Sequence, residues 1–300
     1  MAIAKKKKIH TGQVVLGIVL GAYALFCLLP VLLSIIASFT DQVYIEKYGV
    51  TFFPTQWSLK AYETVGKFGS QLIYSYGITI WITIAGTIWG LAIMSMFAYT
   101  LARPIFPIRG ALSIMMLITM LFSGGQAAGY IVNTQWYHLK DSLWVLILPG
   151  ISTMYVIIFR TYIQTSIPGS LIESAKIDGA GEFTIFTRIV LPCMIPTLAS
   201  VGFMLAVGQW NAWQGARLYI TTYWKKPLQL LMMNIETNIQ YMIANASTMT
   251  AEAYNEFKKN TPTDATRFAI LVVVTGPILI AYPFFQKYFI QGLTVGAVKG

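Results

Sequence analysis

The sequence predicts an all-α integral membrane protein with six transmembrane helices and both termini in the cytoplasm. Of its 300 residues, 56% are hydrophobic and only 11% are charged, and its mean hydropathy is +0.63. A soluble domain needs more polar surface than this composition supplies. The apolar residues also form continuous runs, which exclude a membrane β-barrel because barrel strands alternate apolar and polar positions.

Six runs free of Asp, Glu, Lys and Arg are long enough to cross a bilayer. The hydrocarbon core is about 30 Å thick and a helix rises about 1.5 Å per residue, so one crossing takes roughly 20 residues. The first run is much longer than the apolar part of a signal peptide, so we expect it to remain as the first helix. The six predicted spans are residues 14–40, 68–102, 110–139, 142–159, 189–216 and 268–286.

The basic residues give the orientation. If the lysines at positions 5–8 stay inside, the inner parts carry eleven basic and three acidic side chains, and the outer parts carry ten and eight. This excess of positive charge inside accounts for the net charge of +10 without a nucleic-acid partner. The predicted organisation is a basic cytoplasmic tail (1–13), a transmembrane domain (14–289) and a cytoplasmic C-terminal tail (290–300). An inner loop (160–188) and two long outer loops (41–67 and 217–267) interrupt the domain, and short helices are expected at 227–236 and 250–259.

The spans contain neutral polar groups and no ionisable Asp, Glu, Lys or Arg. Carriers coupled to ions or protons usually place ionisable residues near the midplane, so this interior suits a neutral, hydroxyl-rich solute better. For any single Ser or Thr the alternative is a hydrogen bond to its own helix backbone. The polar interior residues are Ser34, Ser75, Thr79, Thr83, Thr87, Ser95, Ser123, Gln126, Asn133, Gln135, Ser200, Gln209, Asn211 and Gln214.

No catalytic or metal site can be assembled from the sequence. The two histidines, His10 and His138, lie in different segments, and both cysteines lie within apolar runs. The Gly66-Lys67 pair lacks the Gly and Ser or Thr that a phosphate-binding loop requires. We therefore expect no catalytic residues, no metal ligands, and no cofactor or ATP bound by this chain.

The inner loop is patterned as two short helices. After Pro168-Gly169, the Ser170 and Glu173 pair has the spacing of a helix-starting capping box. Gly179 lies where a left-handed turn would end that helix, and a second apolar helical pattern then runs to Pro192. We expect a helix–turn–helix at the inner surface, with Leu171, Ile172, Phe183 and Phe186 among its apolar residues.

This loop closely resembles the EAA motif of ABC importer permeases. The matching residues are Glu173-Ser-Ala-Lys-Ile-Asp178-Gly179-Ala180, then Phe186, Ile189, Leu191 and Pro192, and only Ser174 departs from the common Ala. The resemblance implies the type I importer permease fold and docking of the loop on a separate ATPase that binds ATP and Mg. Leu171, Ile172, Phe183 and Phe186 would be apolar anchors for that partner. Helix capping by Glu173 and turn formation by Asp178 remain alternatives. The implied coupling residues are Glu173, Ser174, Ala175, Asp178, Gly179, Ala180 and Phe186.

Two further segments are similar to the carbohydrate branch of that family, in particular to the maltose transporter's second membrane subunit. They are Gln209-Trp-Asn-Ala-Trp213 and the C-terminal Gln291–Gly300 segment. The resemblance implies oligosaccharide import across the bacterial cell membrane as a transport subunit rather than an enzyme. The implied partners are a second permease of related but different sequence, two cytoplasmic ATPase subunits and an extracellular sugar-binding protein. Gly292, Lys299 and Gly300 would contact the ATPase, unless the tail is disordered.

Aromatic and amide side chains suggest where a sugar would pass. Trp210, Asn211 and Trp213 combine flat apolar faces with amide donors and acceptors, although an interfacial aromatic belt would look similar. Gln126 and Asn133 complete the candidate path, and the 123–129 stretch around Gln126 is either an unwound polar lining or a site of close helix packing. The alternative function is a stand-alone secondary carrier or channel for a neutral solute, which would need no ATPase.

Overall fold

The computed structural model describes residues 11–67, 69–245, 250, 252 and 263–297, and most of them are helical. Within these residues the single β pairing is the isolated bridge between Thr40 and Trp57, so the all-α prediction is confirmed. The helices are α1 (Thr11–Ser38), α2 (Gln42–Tyr48), α3 (Lys60–Lys67), α4 (Gly69–Ala102), α5 (Arg109–Leu121), α6 (Gly125–Ile131), α7 (Trp144–Ile147), α8 (Thr153–Ser166), α9 (Gly169–Ile177), α10 (Glu182–Ile185), α11 (Leu191–Cys193), α12 (Ile195–Trp210), α13 (Trp213–Tyr219), α14 (Leu228–Asn245) and α15 (Asp264–Ala297).

Three helices of the described chain are long and apolar enough to cross a membrane unbroken. They cover Gly12–Ser38, Gly69–Ala102 and Asp264–Pro283, where the first, second and sixth spans are predicted. Two bent pairs qualify if each is counted as one span: Arg109–Leu121 with Gly125–Trp136, and Glu182–Cys193 with Ile195–Trp210. By length and composition the described residues therefore contain three to five candidate spans.

The third predicted span is not straight. Its two halves, α5 and α6, meet at 117°. Phe122 adopts an extended backbone, Gly125 has a φ of +79°, and the Gly125 N–H donates to the Ser123 hydroxyl at 3.2 Å. A positive φ is readily adopted only by glycine, so the Gly-Gly pair permits this turn. The unwinding at 122–124 divides the predicted span 110–139 into two helices and agrees with an unwound stretch, one of the two alternatives for residues 123–129.

The fourth predicted span is not a continuous helix either. The four-residue α7 ends at Ile147, and α8 begins only at Thr153. Pro149 has no N–H to donate, and the Ile151 N–H turns back to the Pro149 carbonyl at 2.7 Å. Because the sequence Pro-Gly breaks the helix here, residues 142–159 contain an irregular stretch at 148–152. The second half, α8, extends to Ser166, beyond the predicted start of the inner loop at 160.

The fifth predicted span begins earlier and ends earlier than 189–216. The helical path starts at α10, passes through a π-helical turn at Phe186–Val190 and bends by 79° beside Met194. Pro192 and Pro196 lie on either side of that bend, and because proline has no backbone N–H, two hydrogen-bond donors are missing there. The α12 helix ends at Trp210, because Asn211 and Ala212 turn before the separate α13 begins.

The chain forms two compact units, residues 1–69 with 242–275 and residues 70–241 with 276–300. In the first unit the Ser38 and Tyr62 hydroxyls lie 2.8 Å apart, and the Ala265 N–H donates to the Gln42 side chain at 3.0 Å. Asp41 caps α2 by accepting from the Val43 N–H. The predicted outer loop 41–67 therefore contains two helices, α2 and α3.

The second unit has a core built from α4, α8 and the helices between α9 and α12. Its fully buried side chains include Met94, Phe159, Ile185, Val190 and Met194. The helix predicted at 227–236 is confirmed as α14 but is longer, whereas the helix predicted at 250–259 falls on positions that, apart from 250 and 252, lie outside the described residues. The last helix, α15, continues through the predicted start of the C-terminal tail at 290 as far as Ala297.

Candidate functional site

The predicted coupling loop contains a well-formed helix-ending turn at Gly179. Gly179 has a φ of +81°, its N–H donates to the Lys176 carbonyl at 3.0 Å, and the Ala180 N–H donates to the Ala175 carbonyl at 2.9 Å. These two bonds make a Schellman motif, in which glycine supplies the left-handed residue. The left-handed turn predicted at Gly179 is confirmed.

The predicted capping box at the start of α9 is wrong. The helix begins at Gly169 with Pro168 in the cap position, and no side chain caps it. Ser170 therefore lies inside the first turn, two residues after the cap position. Pro168 has an extended backbone that directs the chain into the helix, and the Leu171 N–H donates to the Pro168 carbonyl at 3.2 Å.

Part of the loop is embedded in the second unit's own core. Ile172, Ala175, Ile185 and Phe186 are all buried there. Ile172 and Phe186 were expected to be anchors for a partner, and this expectation is wrong, because their side chains already pack inside the chain. The Ala175 and Phe186 side chains instead hold the loop on α4 and α8.

The solvent-exposed side of the 160–188 loop is apolar at three positions. Leu171 is 43%, Ile177 87% and Phe183 72% exposed. The predicted contact residues Glu173, Ser174, Asp178 and Gly179 are exposed as well, whereas Ala180 is half-buried. Ile177 was not among the residues predicted for this surface. Its exposure could have been inferred from its position, because it is five residues after the buried Ile172 and therefore lies about 140° around the helix from it.

One carboxylate fastens the loop to the end of α4. The Tyr99 hydroxyl donates to Glu182, the Lys176 ammonium lies 2.6 Å from it, and the Arg103 guanidinium lies 3.6 Å away. The Tyr99 ring also lies 5.4 Å from that of Phe186. From the sequence Glu182 contributed only a loop charge, and this cluster was not predicted, although Tyr99 lies in the last turn of α4 and Arg103 directly follows that helix.

Two of the candidate path residues meet around Tyr219. The Asn133 amide donates to the Tyr219 hydroxyl at 3.1 Å, and Trp213 packs with Tyr219 against the buried Val145 and Ala216. The Tyr130 ring stacks on Tyr219 at 5.6 Å. Neither tyrosine was predicted from the sequence, because they come from helices more than eighty residues apart.

The other three path candidates are placed elsewhere. Gln126 is exposed in the first turn of α6. The Asn211 amide donates to the Val207 carbonyl at 2.9 Å, so its N–H group is used to close the end of α12. Trp210 is buried and lines a different surface from Trp213. The structure thus separates the two tryptophans that the sequence suggested as one cluster.

Trp210 lines an apolar groove of about 390 Å³ between α4, α12 and α15. Thr83 and Thr87 also line it, and their hydroxyl oxygens are buried without a hydrogen-bond partner. Other interior hydroxyls follow the alternative given above, since Thr79 donates to the Ser75 carbonyl and Ser200 to the Pro196 carbonyl. The two unpaired threonines are therefore unusual among the predicted polar residues.

A second ionic cluster holds the segment after α13. Asp141 accepts hydrogen bonds from the backbone N–H groups of Thr221 and Thr222 and from the Thr222 hydroxyl, and Lys225 lies 3.0 Å from its carboxylate. The hydrogen bonds from Thr222 hold the pKa of Asp141 well below its usual range. Asp141 has a φ of +55°, a conformation that Asp tolerates better than most residues.

The same segment is tied to the end of α4 opposite Arg103. The Gln71 amide donates to the Tyr223 carbonyl at 3.2 Å, and the Leu228 N–H donates to the Thr79 hydroxyl at 2.8 Å. Both α4 side chains are buried. Of the predicted C-terminal contacts, Gly292 lies in α15, and Lys299 and Gly300 lie outside the described residues.

The sequence matches a family of transport proteins. A profile of the binding-protein-dependent transport system inner membrane component family matches residues 75–295. The chain is 36% identical over 280 residues to the polygalacturonan/rhamnogalacturonan transport system permease protein YtcP of Bacillus subtilis (strain 168), a match that covers 93% of this chain and 94% of that protein. It is 27% identical over 283 residues to the arabinooligosaccharides transport system permease protein AraQ of Halalkalibacterium halodurans, covering 92% of this chain and 93% of that protein.

The fold matches as well. A crystal structure of a bacterial ABC transporter involved in the import of the acidic polysaccharide alginate contains a similar chain, with a TM-score of 0.78 and 26% identity, covering 95% of this chain and 100% of that one. This result agrees with the EAA-type loop and decides against the stand-alone carrier. The chain belongs to the binding-protein-dependent transport system inner membrane component family and is a membrane-spanning permease subunit of a carbohydrate ABC importer.

Proposed function

We propose that this chain crosses the bacterial cytoplasmic membrane six times and forms half of the translocation path of an oligosaccharide importer. The bent pairs α5–α6 and α10–α12 would each form one span, and α7 with α8 the fourth. The net charges of +8 for the inner parts and +2 for the outer parts support cytoplasmic termini. The other half of the path would come from a second permease of related but different sequence.

The importer would be driven by two cytoplasmic ATPase subunits, which bind ATP and Mg, while an extracellular protein delivers the sugar. The observation that carries this proposal is the apolar character of the solvent-exposed side of the 160–188 loop. Leu171, Ile177 and Phe183 are exposed beside Glu173 and Asp178 on a loop whose other side is buried. Exposed apolar side chains on a firmly anchored loop suit docking to another protein.

Two substitutions on this surface test ATPase docking. Ile177→Ser and Phe183→Ser remove apolar groups that are already outside the core, so the chain should still fold and insert. We expect weaker co-purification of the ATPase and slower sugar uptake. Leu218→Ser, at another exposed apolar position on α13, is the matched control. Normal ATPase binding by both loop variants would refute docking at this surface.

Labelling from each side of the membrane tests the topology. In a chain with Cys27→Ala and Cys193→Ala, single cysteines replace the exposed Ser170 and Thr221. An impermeant maleimide should reach position 170 only from the cytoplasm and position 221 only from outside. Labelling of both from the same side would contradict the six-span arrangement.

An acidic oligosaccharide is a second candidate substrate. Two of the relatives above are named for polygalacturonan and for alginate transport. Lys140 and Arg217 are exposed near the Asp141 cluster in sequence, and neither has an ion pair in the described part of the chain. Uptake of labelled neutral and uronic-acid oligosaccharides of equal length distinguishes the two classes, and Arg217→Gln should slow only the acidic one.

A further inference from the structure

One helix of the second unit touches both the coupling loop and the segment after α13. That helix is α4, which has 34 residues and no proline, and is about 50 Å long at 1.5 Å per residue. Glu182 is bound near one end of it, by Tyr99 and Arg103, and residues 223–228 are bound near the other. A rigid helix fixed at both ends can pass a displacement from one to the other.

The middle of α4 packs against α12 and the 148–152 stretch. A Cβ at Gly86 would lie 2.7 Å from the Gln209 amide nitrogen, and a Cβ at Gly90 would lie 3.4 Å from the Gly150 carbonyl. The Gln209 side chain of α12 and the Gly150 carbonyl therefore lie against the glycine face of α4. Movement of α4 would change these contacts as well.

Contacts at the Glu182 end are both apolar and ionic. The loop side chains Ile172, Ile185 and Phe186 share one buried cluster with Met94 and Ala98 of α4. Burial holds the loop against the helix, but it is not directional. The hydrogen bond from Tyr99 and the ion pair with Arg103 fix where Glu182 of α10 lies along α4, and the Lys176 ion pair joins α9 to α10.

We propose that Glu182 is a positioning residue for transport: it fixes the 160–188 loop to α4, and α4 carries the displacement of the loop to residues 223–228. This inference rests on the proposed docking of an ATPase at the loop. ATP-driven movement of the loop would then change the position of residues 223–228 directly, through α4 and the hydrogen bonds of Thr79 and Gln71.

The test measures molecules of labelled sugar imported per ATP hydrolysed, in proteoliposomes that contain the whole complex. Misfolded copies are lost from both quantities, so a purely structural defect leaves this ratio unchanged. Glu182→Gln and the milder Tyr99→Phe loosen one end of α4, and Thr79→Val loosens the other. We expect each variant to lower the ratio by about threefold to tenfold, within the range reported for mutations along coupling networks. Arg188→Gln, an exposed cation on the same loop that has no ion pair among the described residues, should leave it unchanged.

The double variant Glu182→Gln with Thr79→Val decides whether the two ends act through the same helix. Residues 79 and 99 are about 30 Å apart along α4, and independent sites at such a distance have additive free-energy effects. If α4 connects them, the double variant should be no worse than the poorer single variant. Multiplied losses, or normal ratios in both Glu182→Gln and Tyr99→Phe, would overturn the proposal.

A cross-link separates this inference from the proposed docking. Ile177→Cys, in a chain with Cys27→Ala and Cys193→Ala, should cross-link to the ATPase. If the cross-link forms but the single variants have normal ratios, or the losses multiply in the double variant, only the role of α4 and Glu182 fails. If no cross-link forms at this exposed position, ATPase docking at the loop fails, and the inference fails with it.

Discussion

Substitution of Gly179 separates backbone strain from bulk at the coupling loop. Gly179 has a φ of +81°, yet a Cβ built there would meet no heavy atom within 4 Å. The chain itself therefore has room for a side chain, and the cost is conformational. For residues other than glycine this conformation costs about 1–2 kcal/mol, and the cost is lower for Asn and higher for β-branched residues.

That cost acts on the connection between two anchored helices. Ile172 and Ala175 of α9 are buried, and so are Ile185 at the end of α10 and Phe186 directly after it, so a strained turn must distort the loop or shift one of these helices. At 1.4 kcal/mol per factor of ten, a penalty of about 1–2 kcal/mol disfavours the native turn by roughly fivefold to thirtyfold. Transport should fall in the order Asn, Ala, Val at position 179, with Val the poorest.

The assay is sugar uptake and sugar-stimulated ATP hydrolysis in proteoliposomes, with variant protein matched for amount. Gly181→Ala is the control, because Gly181 has a φ of −71° and equally open surroundings. It should transport normally. If Gly179→Asn is poorer than Gly179→Ala, the bulk of the side chain at a docked surface matters more than strain, and the conformational reasoning is refuted.

Three more outcomes follow from individual contacts. Asp141→Asn should lower the free energy of unfolding in detergent by about 1–3 kcal/mol, because hydrogen bonds to a charged group are lost. The folded pKa of Asp141 lies below its ordinary value of about 3.9, so this difference should be constant at pH 5–8 and should shrink only as the pH falls below about 4; a change near pH 7 would contradict it. Asn133→Leu should weaken sugar-dependent uptake by about two- to tenfold, whereas Asn211→Leu should have less effect, because its amide is already bonded to Val207; the reverse order would place the path at Asn211. Thr87→Val should leave the free energy of unfolding unchanged or raise it by about 1 kcal/mol, since it removes a buried hydroxyl without a hydrogen-bond partner. A clear loss of stability would show that the hydroxyl is bonded in the membrane.

The positions of the apolar helices could be predicted because span length is a property of the local sequence. The predicted runs at 14–40, 68–102 and 268–286 correspond to unbroken candidate spans. The breaks were harder to place, although Gly124-Gly125 and Pro149-Gly150 stand in the sequence. Glycine and proline are tolerated inside membrane helices, so their presence alone does not say which of them interrupts a helix.

The turn at Gly179 was predictable for the same local reason, since a Schellman motif involves residues within one turn of the helix. Burial within the loop was not predicted, because it depends on which face of α9 meets α4 and α8. The placement of Trp210 and Trp213 on different surfaces is similar: they are only three residues apart, but the chain ends α12 and turns between them.

The charged residues show most clearly what a single sequence leaves out. Glu182 is separated from Tyr99 by 83 positions, and Asp141 from Lys225 by 84. In the sequence alone, both carboxylates contribute only to the charge on each side of the membrane. In the folded chain both neutralise a cation and accept further hydrogen bonds, and each joins segments that are distant in sequence. Because α4 contacts the loop at one end and the segment beside Asp141 at the other, these carboxylates hold in place the two regions that coupled transport would have to move together.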